Sequence, residues 1–154
     1  MHNSGFGLYI ATEDIPGFRQ ASEIDEEDPK TKIQLELLSS CLYLRDLKNN
    51  NTNYGVDDQG ELRIVDFEIH AHKQNSQKIA NNFFSRNKQL RFDVGKAAFL
   101  SWDLLKNIDL ANASIEDQKK LLNKHSITFT VDRNFDDYLT AIKKNVTLIA
   151  KYFE

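Results

Sequence analysis

Two side chains with hard oxygen ligands frame the stretch "NYGVDDQGELRIVDFE": Asn53 opens it and Asp66 stands near its end. A carboxylate and an amide carbonyl are a common pair for holding a divalent cation against phosphate oxygens, so the chemistry in question is phosphoryl transfer. Between them lie "YGV", the turn "DDQG" and "LRIV", the Asp- and Gly-rich chemistry of a β-hairpin. A hairpin returns its last residue to the neighbourhood of its first, so Asn53 and Asp66 are expected at the same open end, as metal ligands. Other chemistry-bearing residues are weaker candidates. "HAH" (70 to 72) places His70 and His72 on one side of an extended chain, but with no third ligand a surface role is favoured over a metal site. "FFSRNKQLRF" interleaves Arg86, Lys88 and Arg91 with Phe83, Phe84 and Phe92; it suits phosphate or a partner, and an amphipathic, partly buried segment is the favoured alternative. Cys41 is the one cysteine and lies in an apolar helical pattern, which predicts a small buried hydrophobe rather than a nucleophile.

The elements that must position these groups are legible from periodicity. Ile33, Leu37, Cys41 and Leu44 recur every three or four residues, with Leu38 and Leu42 widening the stripe. Asp28 before Pro29 supplies a cap followed by proline at the first helical position, so a helix runs from 29 to about 45, ending by 47. "KNNNTN" stops it and leads to the hairpin. Ahead of it, Leu8, Tyr9 and Ile10 predict a strand that breaks at Pro16-Gly17. Beyond Glu68, "FDVGKAAFLSWDLLKNI" (92 to 108) predicts a second long helix. Ser114 followed by Glu116 and Asp117 predicts the start of a third, over 113 to 125. "SITFTV" alternates, as a short strand or extended loop would. Phe135, Leu139, Ile142, Val146, Ile149 and Phe153 keep helical spacing to the end. The expected fold class is α+β, mostly α, with a front strand and turn over 1–18, the helix to 47, loop and hairpin over 48–68, and a helical subdomain over 92–154.

The whole chain fits one such domain: 154 residues, 40% of them hydrophobic, bury one core but hardly two. A net charge of -3, with the acidic run "ASEIDEED" far from any Lys/Arg cluster, gives no footprint for nucleic acid or an anionic membrane. No run approaches the roughly 18 apolar residues of a membrane span, and "MHNSGFG" lacks the basic start and apolar stretch of a secretory signal. The expectation is a soluble protein of a reducing cytosol, its own or a host's.

The string N-x-G-V, turn, G-x-L-x-I-x-D-F, preceded by a long helix, resembles the catalytic-loop asparagine, β-hairpin and D-F-G segment of the protein-kinase-like fold. In wording it is nearest to the atypical kinases, the phosphoinositide-kinase-like and HipA-like groups and related bacterial secreted effectors. "LYIATEDIPGF" resembles the last small-lobe strand running into the hinge, where backbone groups meet an adenine ring. The resemblance covers roughly residues 7 to 70. It implies a large (C-terminal) lobe that binds Mg²⁺-ATP, with Asn53 and Asp66 on the metal and Glu13, Ile15 and Lys48 as nucleotide-binding positions. Kinase spacing puts the catalytic aspartate ahead of the asparagine with four residues between them, and Lys48 stands there. Asp46, in "YLRDLKNNNTN", is the candidate base if the loop bulges by two residues; a charge on a solvated helix end is its other reading. Glu68 replaces the glycine of D-F-G. Too few residues precede Gly5 to carry a glycine-rich phosphate loop, so the small lobe is expected to be absent. The function implied is a kinase-like phosphotransferase portion, inactive as an isolated chain, acting on a protein, lipid or small-molecule acceptor with a separate small lobe or host protein as partner. The alternative is a degenerate, pseudokinase-like interaction module of the bacterial-effector kind.

Overall fold

The computed structural model describes residues 14–24, 28–44, 47, 50–65, 83, 85, 88–127 and 135–154. The predicted strand around Leu8–Ile10, the "HAH" segment and most of "SITFTV" lie outside them. Within them the architecture is α+β and mostly helical, with a three-stranded antiparallel sheet on one side of a helical core.

The central element is α1 (Pro29–Leu42). Asp28 caps it by accepting a hydrogen bond from the Lys30 N–H at 3.0 Å, and Pro29 fills the position where a missing N–H costs nothing. Its residues are buried almost all round, as a helix enclosed on both sides must be. Ile33, Leu37 and Cys41 enter the core of the helical layer, while Leu35 enters a smaller cluster with Leu44, Leu47 and Tyr54 beneath the sheet. The helix stops at Leu42, short of the predicted 45, because Tyr43 turns left-handed (φ 57°) and Leu44 N–H returns to the Ser39 carbonyl. Neither glycine nor proline signals that stop.

The sheet order is β1 (Arg19–Gln20), β2 (Tyr54–Val56), β3 (Leu62–Ile64), all antiparallel. The predicted hairpin is present: Tyr54 faces Ile64 and Val56 faces Leu62. The strand ahead of it was not expected at 19–20. It follows a turn in which Pro16 and left-handed Gly17 stand between the Ile15 carbonyl and the Phe18 N–H, 3.1 Å apart, the type II sequence signature. Arg19 then pairs with Val56 and Gln20 with Gly55.

Helix α2 (Lys88–Trp102) packs on α1, as does α4 (Phe135–Ala150); α3 (Leu104–Lys124) packs on α4. The expected helix over 92–108 is therefore two: the chain breaks at Asp103, left-handed at φ 42°. Leu104 to Ile108 belong to α3, which absorbs the separate helix expected over 113–125. Ser114 is interior rather than a cap, and Glu116 and Asp117 pair with Lys119 and Lys120 one turn on. In α4 the buried positions Tyr138, Ile142, Val146 and Ile149 keep the predicted spacing. Asn145, fully buried in the same row, donates to the Ser40 and Cys41 carbonyls, and the Tyr138 hydroxyl donates to the Leu42 carbonyl at 3.0 Å. Thus α4 satisfies the carbonyls that the end of α1 leaves without helical partners. Among the described residues no helix is long and apolar enough to cross a membrane.

Candidate functional site

Asn53 sits where three constraints meet. Its N–H donates to the Asn50 carbonyl at 3.2 Å, and its carbonyl accepts from the Val65 N–H at 2.9 Å, one rung beyond the ladder of β2 and β3. The loop before it is held by the β1 side: Ser22 N–H donates to the Asn51 carbonyl and the Gln20 side-chain amide to the Thr52 carbonyl. Within the loop, the Asn50 side-chain oxygen accepts from the Thr52 N–H and hydroxyl, an Asx-type turn. Leu47, fully buried, anchors the loop in the cluster under the sheet. Asn53 is only 8% exposed, and the Thr52 hydroxyl donates to its Oδ1 at 3.4 Å. These bonds fix the Asn53 backbone at the base of the hairpin.

Of the other predicted site residues, Glu13, Asp46, Lys48 and Asp66 lie outside the described residues. The ladder reaches Val65, the residue before Asp66 in the chain. Ile15 is half-buried and its carbonyl is taken by the Pro16-Gly17 turn. That turn lies against the hairpin's closed end, where the Asp58 N–H reaches the Pro16 carbonyl at 3.4 Å. Ile15 and Asn53 are therefore at opposite ends of β2, a strand about 10 Å long by its three residues. The structure does not bring them together; a single ligand touching both would have to run along the strand. Among the described residues no group of three or more His, Cys, Asp or Glu side chains could hold a metal.

Asp57 shows what a carboxylate of this hairpin does when it is structural. It is 4% exposed, and its Oδ1 accepts from the Gln59 and Glu61 N–H groups while Oδ2 accepts from Arg63 at 2.7–2.8 Å. The Glu61 N–H and the Arg63 guanidinium outweigh burial and hold its carboxyl below the usual carboxylate range. Cys41 is fully buried, and burial alone pushes its thiol far up, so it is inert as expected. Arg91 is committed to Glu36 and lies 5.2 Å over the Phe83 ring, while Phe83 and Phe92 pack in the core. The "FFSRNKQLRF" segment is thus partly buried structure at these positions.

Two features escaped sequence reasoning. The first is Gly55. A Cβ there would fall 2.0 Å from the Arg19 carbonyl oxygen, so the glycine of the N-x-G-V string is what lets β1 pair with β2. A glycine inside a strand pattern is the signal for such an approach. The second is a recess of about 200 Å³ between the β1–β2 pair and the N-terminus of α1, with Arg19, Asp28 and Thr31 among its walls. No family model, curated protein or solved structure matches the chain.

Proposed function

We propose that the helix, loop and hairpin form the metal end of a kinase-like large lobe, in which Asn53 and Asp66 hold Mg²⁺-ATP and Asp46 stands as candidate base. The observation that supports this reading is the hydrogen bond from the Val65 N–H to the Asn53 carbonyl. It closes the ribbon on Asn53, with Asp66 as the next residue of the chain. The cation would neutralise the triphosphate and bridge it to the protein. Lys48 at the position where the kinase pattern has its aspartate argues for binding without turnover in the isolated chain. The same substitution supports the alternative, an interaction module that takes no nucleotide.

Titration calorimetry separates the two. Saturable ATP binding that requires Mg²⁺, disappears with a chelator and is lost in Asp66→Ala supports the nucleotide reading. Absence of binding up to millimolar ATP, in a chain whose fold is intact by circular dichroism, leaves the interaction module.

A further inference from the structure

The segment ahead of α1 holds the Asn53 loop while being lightly held itself. From Asp14 to Ile24 every residue is exposed or half-buried, and none is buried. Its apolar anchors among the described residues are few: Phe18 lies over Gly55, and Ala21 packs on the cluster under the sheet. Its polar links to the other described residues are equally sparse. Arg19 and Gln20 pair with Val56 and Gly55, and the Pro16 carbonyl accepts from the Asp58 N–H at 3.4 Å. The Ser22 N–H donates to the Asn51 carbonyl at 3.1 Å, and the Gln20 side-chain amide to the Thr52 carbonyl at 3.3 Å. Bonds inside the segment are separate from these: Phe18 N–H to the Ile15 carbonyl, Ile24 N–H to that of Ala21, and Gln20 N–H to the Glu23 carboxylate. It can therefore part from the sheet with its own turns intact. The other side of β2 is different. There the ladder with β3 runs on through Asn53–Val65 and Asp57–Glu61, over a cluster in which Leu35, Leu44, Leu47 and Tyr54 are buried. Local opening is easiest where little apolar surface is buried, so the β1 side of β2 opens before the β3 side.

We propose that residues 16–24 form a strap that opens as a unit, with the rest of the protein folded, and in opening releases the loop over 50–53. The released loop loses the donors to its Asn51 and Thr52 carbonyls, the two bonds that tie it to the β1 side. Closure sets the loop, and the loop sets Asn53. The regulatory consequence rests on the metal reading of Asn53. A cation bound there favours the closed strap, and by reciprocity an open strap weakens the binding of the cation.

The test is amide hydrogen exchange, read residue by residue by NMR across a low-urea series with a chelator present. Three amides report on the strap and the loop: Ser22, which donates to Asn51; Asn53, which donates to Asn50; and Val56. Asn53 and Asp57 pair with β3, so by alternation the Val56 N–H faces β1. The three should exchange through one opening with one weak urea dependence, at least about tenfold less protected than Val65 and Asp57 on the β3 side. Gln20→Ala removes the donor to Thr52 and should lower the protection of all three by a common factor of about five. Protection at Ser22 equal to that at Val65, or none at all, overturns the strap. So does a Gln20→Ala protein in which Ser22 loses protection and Asn53 keeps it, since the loop would then be independent of the strap. Because no metal is present, failure here leaves the pairing of Asn53 with Asp66 untouched, and failure of that site in its own titration leaves the exchange result standing.

Discussion

Asp57 and Tyr138 show how a polar residue's partners, rather than its type, decide its role. Asp57 is consumed by the turn it builds, and its lowered pKa carries a linkage prediction. A folded-state pKa below the unfolded value means stability that is present above the ordinary carboxylate range and lost as pH falls through the folded value. Urea unfolding below pH 4 should show a steeper acid loss in the wild type than in Asp57→Asn. Tyr138 is the opposite case: burial raises its hydroxyl to about 12 from 10.0. Its contribution is complete below pH 10 and is lost as pH rises through 12, so Tyr138→Phe should flatten the alkaline limb of the stability profile. The same variant loses the bond to the Leu42 carbonyl and should be about 1 kcal/mol less stable at pH 7. At Gly55, alanine places a methyl group against the Arg19 carbonyl; Gly55→Ala should cost about 1–3 kcal/mol by urea unfolding and expose the β1 amides to hydrogen exchange. The sequence set Asn53 just ahead of the hairpin's first strand, where the structure has it, but Gly55 entered only as a letter in a string. Its reason lies in a strand 35 residues upstream, which no local pattern reveals.

At the scale of elements, one start signal and the periodicity of the last helix were legible, Ser114 was a false start, and the stops carried no signal. Asp28-Pro29 marked the head of α1, and the buried spacing of α4 matches the predicted row. The ends of α1 and α2 fall at Tyr43 and Asp103, both left-handed without being glycine, so the residue types that punctuate a sequence are missing where the backbone turns. The apolar stripe from Ala98 to Leu105 continues across the Asp103 break, which is why one helix was expected there. Helix α3 closes in the same way: Ile127 N–H returns to the Leu122 carbonyl and Ser126 N–H to that of Asn123, around a left-handed Ser126. Ser126→Gly should therefore stabilise the protein, by about 0.5–1 kcal/mol, read from the urea midpoint. Between α1 and α4, Asn145 is the junction. Asn145→Ala leaves the Ser40 and Cys41 carbonyls buried without that donor and opens a void, and should cost about 2–4 kcal/mol in the same assay.

For the molecule as a whole, α1 serves two layers: one face closes the helical core and another supports the hairpin that carries Asn53. A cation at the hairpin's open end would therefore be felt through the fold's central helix, and global stability is a fair reporter of it. If Asn53 and Asp66 hold a divalent ion, the folded state binds it and the unfolded chain does not, so the ion must raise the melting temperature. The decisive measurement is the melting temperature of wild type and Asp66→Asn with Mg²⁺ and with Mn²⁺. The metal site predicts a saturable rise of about 3–6 °C in the wild type at ten times the dissociation constant, and none in Asp66→Asn. A melting temperature that ignores both ions, or that rises equally in the two proteins, contradicts it.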